Sequence, residues 1–120
     1  MNKKEWVKRI EQATKDAGTF KAFFADTIET LADILEKRDS ANEGYIESGA
    51  QPVVTYTNTA GKENGQKNPY LILIDDYNKT ALAYWRDLGL TPKGLKLIND
   101  QAMKGKQKAG LSELLEKLDG

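Results

Sequence analysis

The segment Asn68–Asn99, NPYLILIDDYNKTALAYWRDLGLTPKGLKLIN, decides the fold of this chain. Asn68 can cap a helix through its side-chain oxygen, and the proline after it suits the first helical position, where its missing N–H would be unpaired anyway. Apolar residues then recur every three or four positions and predict one helical stripe, made of Leu71, Ile74, Tyr77, Ala81, Tyr84, Trp85 and Leu88. Gly89 predicts a left-handed stop, and Thr91-Pro92 predicts the start of a second, short helix.

Two further helices are predicted before this segment. The first covers residues 3–17 and ends at Gly18, with an apolar stripe of Trp6, Val7, Ile10, Ala13 and Ala17. Thr19 is predicted to cap the second helix, which runs to about Arg38; Tyr45-Ile46 could be a short helical extension, but Gly44 and Gly49 weaken it. Its broad apolar face consists of Phe20, Phe23, Phe24, Ile28, Leu31, Ile34 and Leu35. Its opposite face is acidic and consists of Asp26, Glu29, Asp33 and Glu36.

Between the helices, Val53–Thr57 is the one clear β-branched, strand-like run. Residues 58–61 read as a turn, and residues 62–67 as a short return strand, which together predict a β-hairpin near 53–67. An isolated hairpin is marginal in water, so this one is expected to lie on a helix or on a neighbouring subunit. The alternative is an irregular connection between two helices.

The predicted fold is therefore mainly α: an N-terminal helix pair, one β-hairpin, a long helix plus a short helix, and a flexible C-terminal tail. Residues 1–104 are predicted to form a single helical domain. Residues 105–120 are predicted to be a flexible linker, because of Gly105 and Gly110, followed by a short amphipathic helix. That helix needs a partner surface, which makes its apolar face a candidate docking site, formed by Leu111, Leu114, Leu115 and Leu118.

Three pieces of sequence occur in order between Tyr45 and Ile98: QPVVTYTNTAG at 51–61, Asn68-Pro69, and DLGLTP at 87–92. In that order they resemble the small terminase subunits of tailed bacteriophages, in particular the branch with an NP-helix-LGLTP pattern near the C-terminus. The resemblance implies a non-enzymatic protein of the host-cell cytoplasm that forms homo-oligomeric rings and recognises double-stranded viral DNA. It also implies that the chain regulates the large terminase subunit, the ATPase and nuclease of genome packaging.

Positive charge is concentrated in two parts of a chain whose formal net charge is zero. Residues 1–18 carry a surplus of two positive charges and residues 91–110 a surplus of four. The candidate DNA-binding residues are Lys3, Lys4, Lys8 and Arg9 in the first cluster and Lys93, Lys96, Lys104, Lys106 and Lys108 in the second. Each cluster in a monomer reads first as a solvated charged face, but repetition around a ring would form a positive belt for phosphates.

The residue inventory argues against catalysis. The chain has no cysteine and no histidine, which excludes disulfides, Cys/His zinc sites and histidine-based triads. Asp75-Asp76 is the only carboxylate pair of interest, and adjacent helical residues point about 100° apart, so no metal site and no cofactor are predicted. No membrane span or signal peptide is expected, which indicates a cytoplasmic-type protein. The alternative function is a protein–protein adaptor or regulator that does not bind DNA.

Overall fold

The computed structural model describes residues 1–119, which form four α-helices and one β-hairpin. The helices are α1 (Lys3–Ala17), α2 (Ala25–Glu47), α3 (Pro69–Asp87) and α4 (Pro92–Asp119). The strands are β1 (Val53–Thr57) and β2 (Glu63–Lys67), and a short 3-10 turn (Ala22–Phe24) precedes α2. The predicted mainly α fold with a single hairpin is confirmed for the described residues, and the hairpin replaces the irregular connection that was its alternative.

Helix α2 forms the centre of the molecule, because it packs against α1 on one side and α3 on another. The buried cluster that joins the three helices consists of Trp6, Ile10, Ile28, Leu31, Ala32, Leu35, Ala81 and Leu88. Full burial of a leucine or isoleucine side chain contributes about 1.5 to 3 kcal/mol to folding. This small core therefore supplies the apolar burial that holds the three helices together.

The junction between α1 and α2 differs from the prediction. Gly18 ends α1 in the left-handed conformation, with φ of 75°, as expected. Thr19, however, does not cap a helix: its buried hydroxyl donates a 2.7 Å hydrogen bond to the carbonyl oxygen of Leu88. Helix α2 starts only at Ala25, so Phe23 lies in the 3-10 turn and remains 76% exposed instead of joining the predicted apolar face. The tertiary hydrogen bond has displaced the helix start.

Helix α2 also continues to Glu47, nine residues beyond its predicted end at Arg38. It passes through Gly44, where a side chain would collide with the ring of Tyr70 in α3. The glycine therefore lowers helix propensity but permits a close approach between the two helices. A sequence reading counts only the lowered propensity, which is why it ended the helix too early.

Asn68 joins the hairpin to α3. The strands pair antiparallel, from Val53 opposite Lys67 to Thr57 opposite Glu63. Asn68 is buried at the open end of this ladder, where its side-chain amide donates to the carbonyl oxygen of Gln51 at 2.9 Å. Its side-chain oxygen accepts from the backbone N–H of Tyr70 at 3.0 Å and caps α3. One side chain thus closes the hairpin and starts the helix, as the predicted cap requires.

Helices α3 and α4 meet at the predicted turn. Gly89 has φ of 72°, and the Thr91 hydroxyl accepts the backbone N–H of Gly94 at 3.0 Å, which caps α4. Helix α4 then runs without a break to Asp119, so the structure has one long C-terminal helix in place of a short helix, a linker and a tail helix. The good helix formers around Gly105 and Gly110 outweigh a cost of about 1 kcal/mol for each glycine. The division of the chain at residue 104 stays a prediction, and residue 120 lies outside the described part.

The described chain is elongated, with extents of 86 × 30 × 20 Å. The hairpin connects the end of α2 to the start of α3, whereas α4 starts just after the end of α3. The hairpin and the start of α4 therefore lie at opposite ends of the α2–α3 pair. Most of α4 extends away from the core, since every side chain from residue 99 to residue 118 is exposed.

Candidate nucleic-acid interface

The basic residues of α1 are not equivalent to one another. Lys3 is half-buried, and its ammonium nitrogen lies 3.2 Å from Oε1 of Glu29 in α2. Its backbone N–H donates to Oε2 of Glu36 at 2.6 Å. The guanidinium carbon of Arg9 lies 5.5 Å from the ring centre of Trp6. Two of the four candidate DNA-binding residues of α1 therefore make contacts within the molecule.

The other two, Lys4 and Lys8, are exposed and lie four residues apart on one side of α1. They line an open groove of about 560 Å³ between α1 and α2, together with Lys3, Val7, Glu11, Ala25 and Glu29. Two carboxylates thus share the groove with the ammonium groups. The carboxylates of Glu11 and Glu29 therefore partly offset the positive potential of the lysines in this groove.

Acidic residues of α2 extend the negative side of this region. Asp26, Glu29 and Asp33 line a neighbouring shallow groove with Lys3 and Thr30. A 2.9 Å hydrogen bond from Lys37 lowers the pKa of Asp33, and the same bond raises the pKa of Lys37. The acidic face predicted for the second helix is therefore present, and it lies next to the α1 lysines.

The five candidate lysines after the LTP turn all lie on α4, and all are exposed. Successive α-helical residues are rotated by about 100°, so four of the five fall within an arc of about 120°. We call this set the lysine arc: Lys93, Lys96, Lys104 and Lys108. Lys106 points to the other side of the helix. Between residues 93 and 108 the only acidic residue is Asp100, which falls in the same arc.

The inner side of α4 faces the end of α3. Gly94 is buried, and a side chain there would collide with the carbonyl oxygen of Arg86. Leu95 and Ile98 are half-buried, and Ile98 reaches Gly89 at the turn between the helices. By the same rotation of about 100° per residue, Leu95 and Ile98 lie opposite the lysine arc, and Gly94 lies outside its edge. Packing against α3 therefore directs the lysines outward.

The four candidate docking leucines occupy the last two turns of α4. They are exposed by 55 to 79%, and we call them the leucine stripe: Leu111, Leu114, Leu115 and Leu118. Their positions around the helix axis overlap those of the lysine arc. One outward face of α4 thus carries lysines along its first part and leucines along its last part, over about 38 Å at 1.5 Å per residue.

Comparison with known protein families gives one match. The profile of the family described as phage terminase, small subunit, matches residues 2–102, which is most of the chain. The chain belongs to this family. It therefore has a role in phage genome packaging, and the resemblance drawn from the sequence is confirmed. A search of curated proteins and a search of solved structures gave no match.

The family match covers the three-helix core, the hairpin and the first part of α4. Within this small terminase subunit, Lys93 and Lys96 lie inside the matched region. Lys104, Lys106, Lys108 and the leucine stripe lie beyond residue 102. Those later residues are candidates through their exposure, charge and spacing alone, because the family match does not reach them.

Sequence reasoning missed a polar cluster at the end of the core. The indole N–H of Trp6 donates to Oδ2 of Asp39 at 2.7 Å, and the Arg38 guanidinium donates to Oδ1 of the same carboxylate at 3.2 Å. Burial raises the pKa of Asp39, but the hydrogen bonds from Trp6, the N-terminal ammonium and Arg38 outweigh it, so that the pKa lies below its ordinary value. Trp6 could have predicted this cluster from the sequence, because a buried indole N–H needs an acceptor.

An apolar groove lies in this small terminase subunit where the first strand meets the end of α2 and the start of α3. The groove has a volume of about 300 Å³ and is lined by Ser48, Gln51, Val54, Asn68, Pro69, Tyr70 and Leu73. Within the hairpin only Val54 and Asn58 are partly covered, while Val53 and Tyr56 remain exposed. The hairpin therefore projects from the end of the helix pair and is anchored mainly through Asn68 and Val54.

The carboxylates of residues 1–119 form no group of three or more that could hold a metal ion. Of the adjacent pair singled out in the sequence, Asp75 forms an ion pair with Lys67 of β2. The hydrogen bond from Lys67 lowers the pKa of Asp75. In the same part of the chain no helix is long and apolar enough to cross a membrane.

Proposed function

We propose that this chain is the non-catalytic DNA-recognition subunit of a phage packaging motor, acting in the cytoplasm of the host cell. In this proposal it assembles into a homo-oligomeric ring, binds double-stranded viral DNA and regulates the ATPase and nuclease of the large terminase subunit. Family membership over residues 2–102 is the observation that carries the proposal. The candidate DNA contacts are the two basic clusters, Lys3, Lys4, Lys8 and Arg9 on α1 and Lys93, Lys96, Lys104, Lys106 and Lys108 on α4.

Ring formation is supported by the amount of apolar surface that one copy leaves exposed. Large exposed side chains outside the leucine stripe include Phe20, Phe23, Ile46 and Leu73. Apolar side chains that one copy leaves exposed can be covered by a neighbouring copy. The acidic face of α2 and the exposed Lys4 and Lys8 of α1 are complementary in charge, which suits a head-to-tail contact between neighbouring copies that closes into a ring.

The experiment that tests this proposal is multi-angle light scattering at low and high salt, with and without duplex DNA. We expect a defined oligomer larger than a dimer that binds DNA at low salt and releases it at high salt, because phosphate contacts are lost as salt rises. A monomer or dimer that ignores DNA at all salt concentrations would contradict the proposal.

We propose the leucine stripe as the docking site for the large terminase subunit. Replacing Leu114, Leu115 and Leu118 by glutamine keeps good helix formers but removes the apolar contacts. Pull-down with the large subunit should then fail, while the free energy of unfolding stays unchanged because these side chains are already exposed. A matched control replaces the exposed Ile72 and Leu82 of α3 by glutamine and should retain the large subunit.

The second candidate function is a protein–protein adaptor that regulates packaging without contacting DNA. Zero net charge and the leucine stripe favour it, because a neutral protein has no general attraction for polyanions. Charge reversal discriminates between the two functions. Changing Lys4, Lys8, Lys104 and Lys108 together to glutamate should abolish DNA binding by a packaging factor, whichever basic cluster makes the contact, and should leave an adaptor unaffected. Lys3 is left unchanged, because glutamate there would face Glu29 and Glu36 and would disturb the fold.

A further inference from the structure

We infer that the lysine arc of α4, and not the basic cluster of α1, is the surface that contacts the phosphates of duplex DNA. This inference rests on the proposed function, because it assigns a place to the DNA binding proposed there. It also excludes Lys106 of the second basic cluster from the DNA contact, since that residue lies outside the arc. The partner is the sugar–phosphate backbone of double-stranded DNA.

The ammonium groups of the lysine arc are free to bind phosphates. Within residues 1–119 no lysine of the arc forms a salt bridge, and every one of them is exposed. On α1 only Lys4 and Lys8 share this availability, because Lys3 pairs with Glu29 and the guanidinium of Arg9 stacks on Trp6. An ammonium group that is already paired must break that contact before it can bind a phosphate, so its net contribution to DNA binding is smaller.

Fewer carboxylates surround the lysine arc than surround the lysines of α1. Lys4 and Lys8 share their groove with Glu11 and Glu29, and the acidic face of α2 lies beside it. A DNA strand that approached α1 would therefore meet carboxylates at close range, and like charges repel. Along the arc of α4 the only acidic side chain between residues 93 and 108 is Asp100.

The shape of α4 also suits contact with duplex DNA. Lys93 and Lys108 are separated by about 22 Å along the axis of one straight helix, at 1.5 Å per residue. This length corresponds to about six base pairs at about 3.4 Å each. An α-helix of ordinary diameter fits the major groove, which is about 12 Å wide, and α4 projects from the core, so that no other element blocks its outer face. Lysine contacts a phosphate as a point charge, so the arc positions DNA without reading its sequence.

The test compares three double variants, each of which removes two positive charges. Lys104→Gln with Lys108→Gln removes half of the arc. Lys106→Gln with Lys117→Gln is the matched control on the other side of the same helix, and Lys4→Gln with Lys8→Gln tests the rival surface on α1. The measurement is fluorescence anisotropy with a labelled duplex of about 30 base pairs, titrated between about 50 and 200 mM salt. Circular dichroism and light scattering check that fold and assembly are unchanged.

We expect the arc variant to lower the slope of log Kobs against log salt by about 1.8 per contacting subunit, which is about 0.9 for each lost phosphate contact. The other two variants should keep the slope of the parent chain. A loss confined to the α1 variant, or equal losses in all three variants, would overturn the inference and leave the proposed function standing. If the parent chain itself binds no DNA at the lowest salt, the proposed function fails together with the inference.

Discussion

The indole nitrogen of Trp6 lies 2.7 Å from Oδ2 of Asp39, and this hydrogen bond ties the start of α1 to the middle of α2 across 33 residues of sequence. The ring of Trp6 is buried, while its polar edge faces the half-buried carboxylate. The guanidinium carbons of Arg9 and Arg38 each lie 5.5 Å from the ring centre. The ring of Trp6 thus packs in the core, while its N–H stabilises the polar cluster around Asp39.

Trp6→Phe separates these two roles. Phenylalanine keeps an aromatic ring in the core but cannot donate to Asp39, so a half-buried carboxylate loses one of its donors. We expect the free energy of unfolding to fall by about 1 to 3 kcal/mol, the usual cost of a hydrogen bond lost to a charged group together with the reduced ring volume. Urea denaturation followed by circular dichroism measures the change. Tyr84→Phe, in the partly buried part of α3, serves as a control that also removes one polar atom from an aromatic residue and should cost less.

Acid should weaken the fold through Asp39. Its pKa in the folded chain lies below its ordinary value near 3.9, so the contribution of the carboxylate is complete above that value and is lost as the pH falls through the folded pKa. Asp39→Asn should therefore flatten the decline in stability below about pH 4. Thermal unfolding between about pH 2 and pH 7 measures this. If the variant and the parent chain declined in parallel, another group would be responsible.

The glycines of α4 should respond in opposite directions to alanine. At Gly94 a side chain would collide with the backbone of Arg86, so Gly94→Ala should push α4 away from the end of α3. At Gly105 and Gly110 nothing lies within 4 Å of the added atom. Alanine there should stabilise the helix by about 1 kcal/mol per position.

Hydrogen exchange of α4 amides distinguishes these glycine variants. Protection near residues 94–98 should fall in Gly94→Ala, whereas protection between residues 103 and 112 should rise in the other two variants. If Gly94→Ala protected the start of the helix better than the parent chain does, the close packing between α3 and α4 would be disproved.

Asn68 carries two separable functions. Asn68→Ala should lose both the cap of α3 and the donor to Gln51, with a cost of about 1 to 3 kcal/mol. Asn68→Asp keeps an oxygen to cap the helix but places a carboxylate against the carbonyl of Gln51. We expect the aspartate variant to release the hairpin while α3 stays formed, which amide exchange of β1 and α3 would show separately. Loss of α3 in both variants would mean that the helix start depends on the amide donor to Gln51 and that the cap alone does not hold it.

The sequence predicted most helix boundaries where local chemistry decides them. Gly18, Asn68, Gly89 and Thr91 act within a few residues of their own positions, and the structure confirms a helix end or start at each. The hairpin was predictable for the same reason, since its β-branched strand and its turn are neighbours in the chain. Boundaries set by distant contacts were predicted wrongly.

Those distant contacts concern particular residues. Thr19 has the chemistry of a helix cap, but Leu88, 69 residues away, accepts its hydroxyl hydrogen bond instead. Gly44 weakens a helix locally, but the ring of Tyr70 requires the space that it leaves. The same limit applies to the candidate site, because the pairing of Lys3 with Glu29 depends on the packing of α1 against α2.

By itself, the sequence determined the mainly helical class, the hairpin, the family resemblance and the residues that carry positive charge. All of these follow from short-range periodicity, turn chemistry and motif order. Only the tertiary structure decided which charges face solvent and which are paired. It paired Lys3 with α2 and packed the inner side of α4 on α3, which directs the lysine arc and the leucine stripe outward along one face. The physical reason is that burial and ion pairing depend on which helices pack together, and local sequence carries no record of that packing.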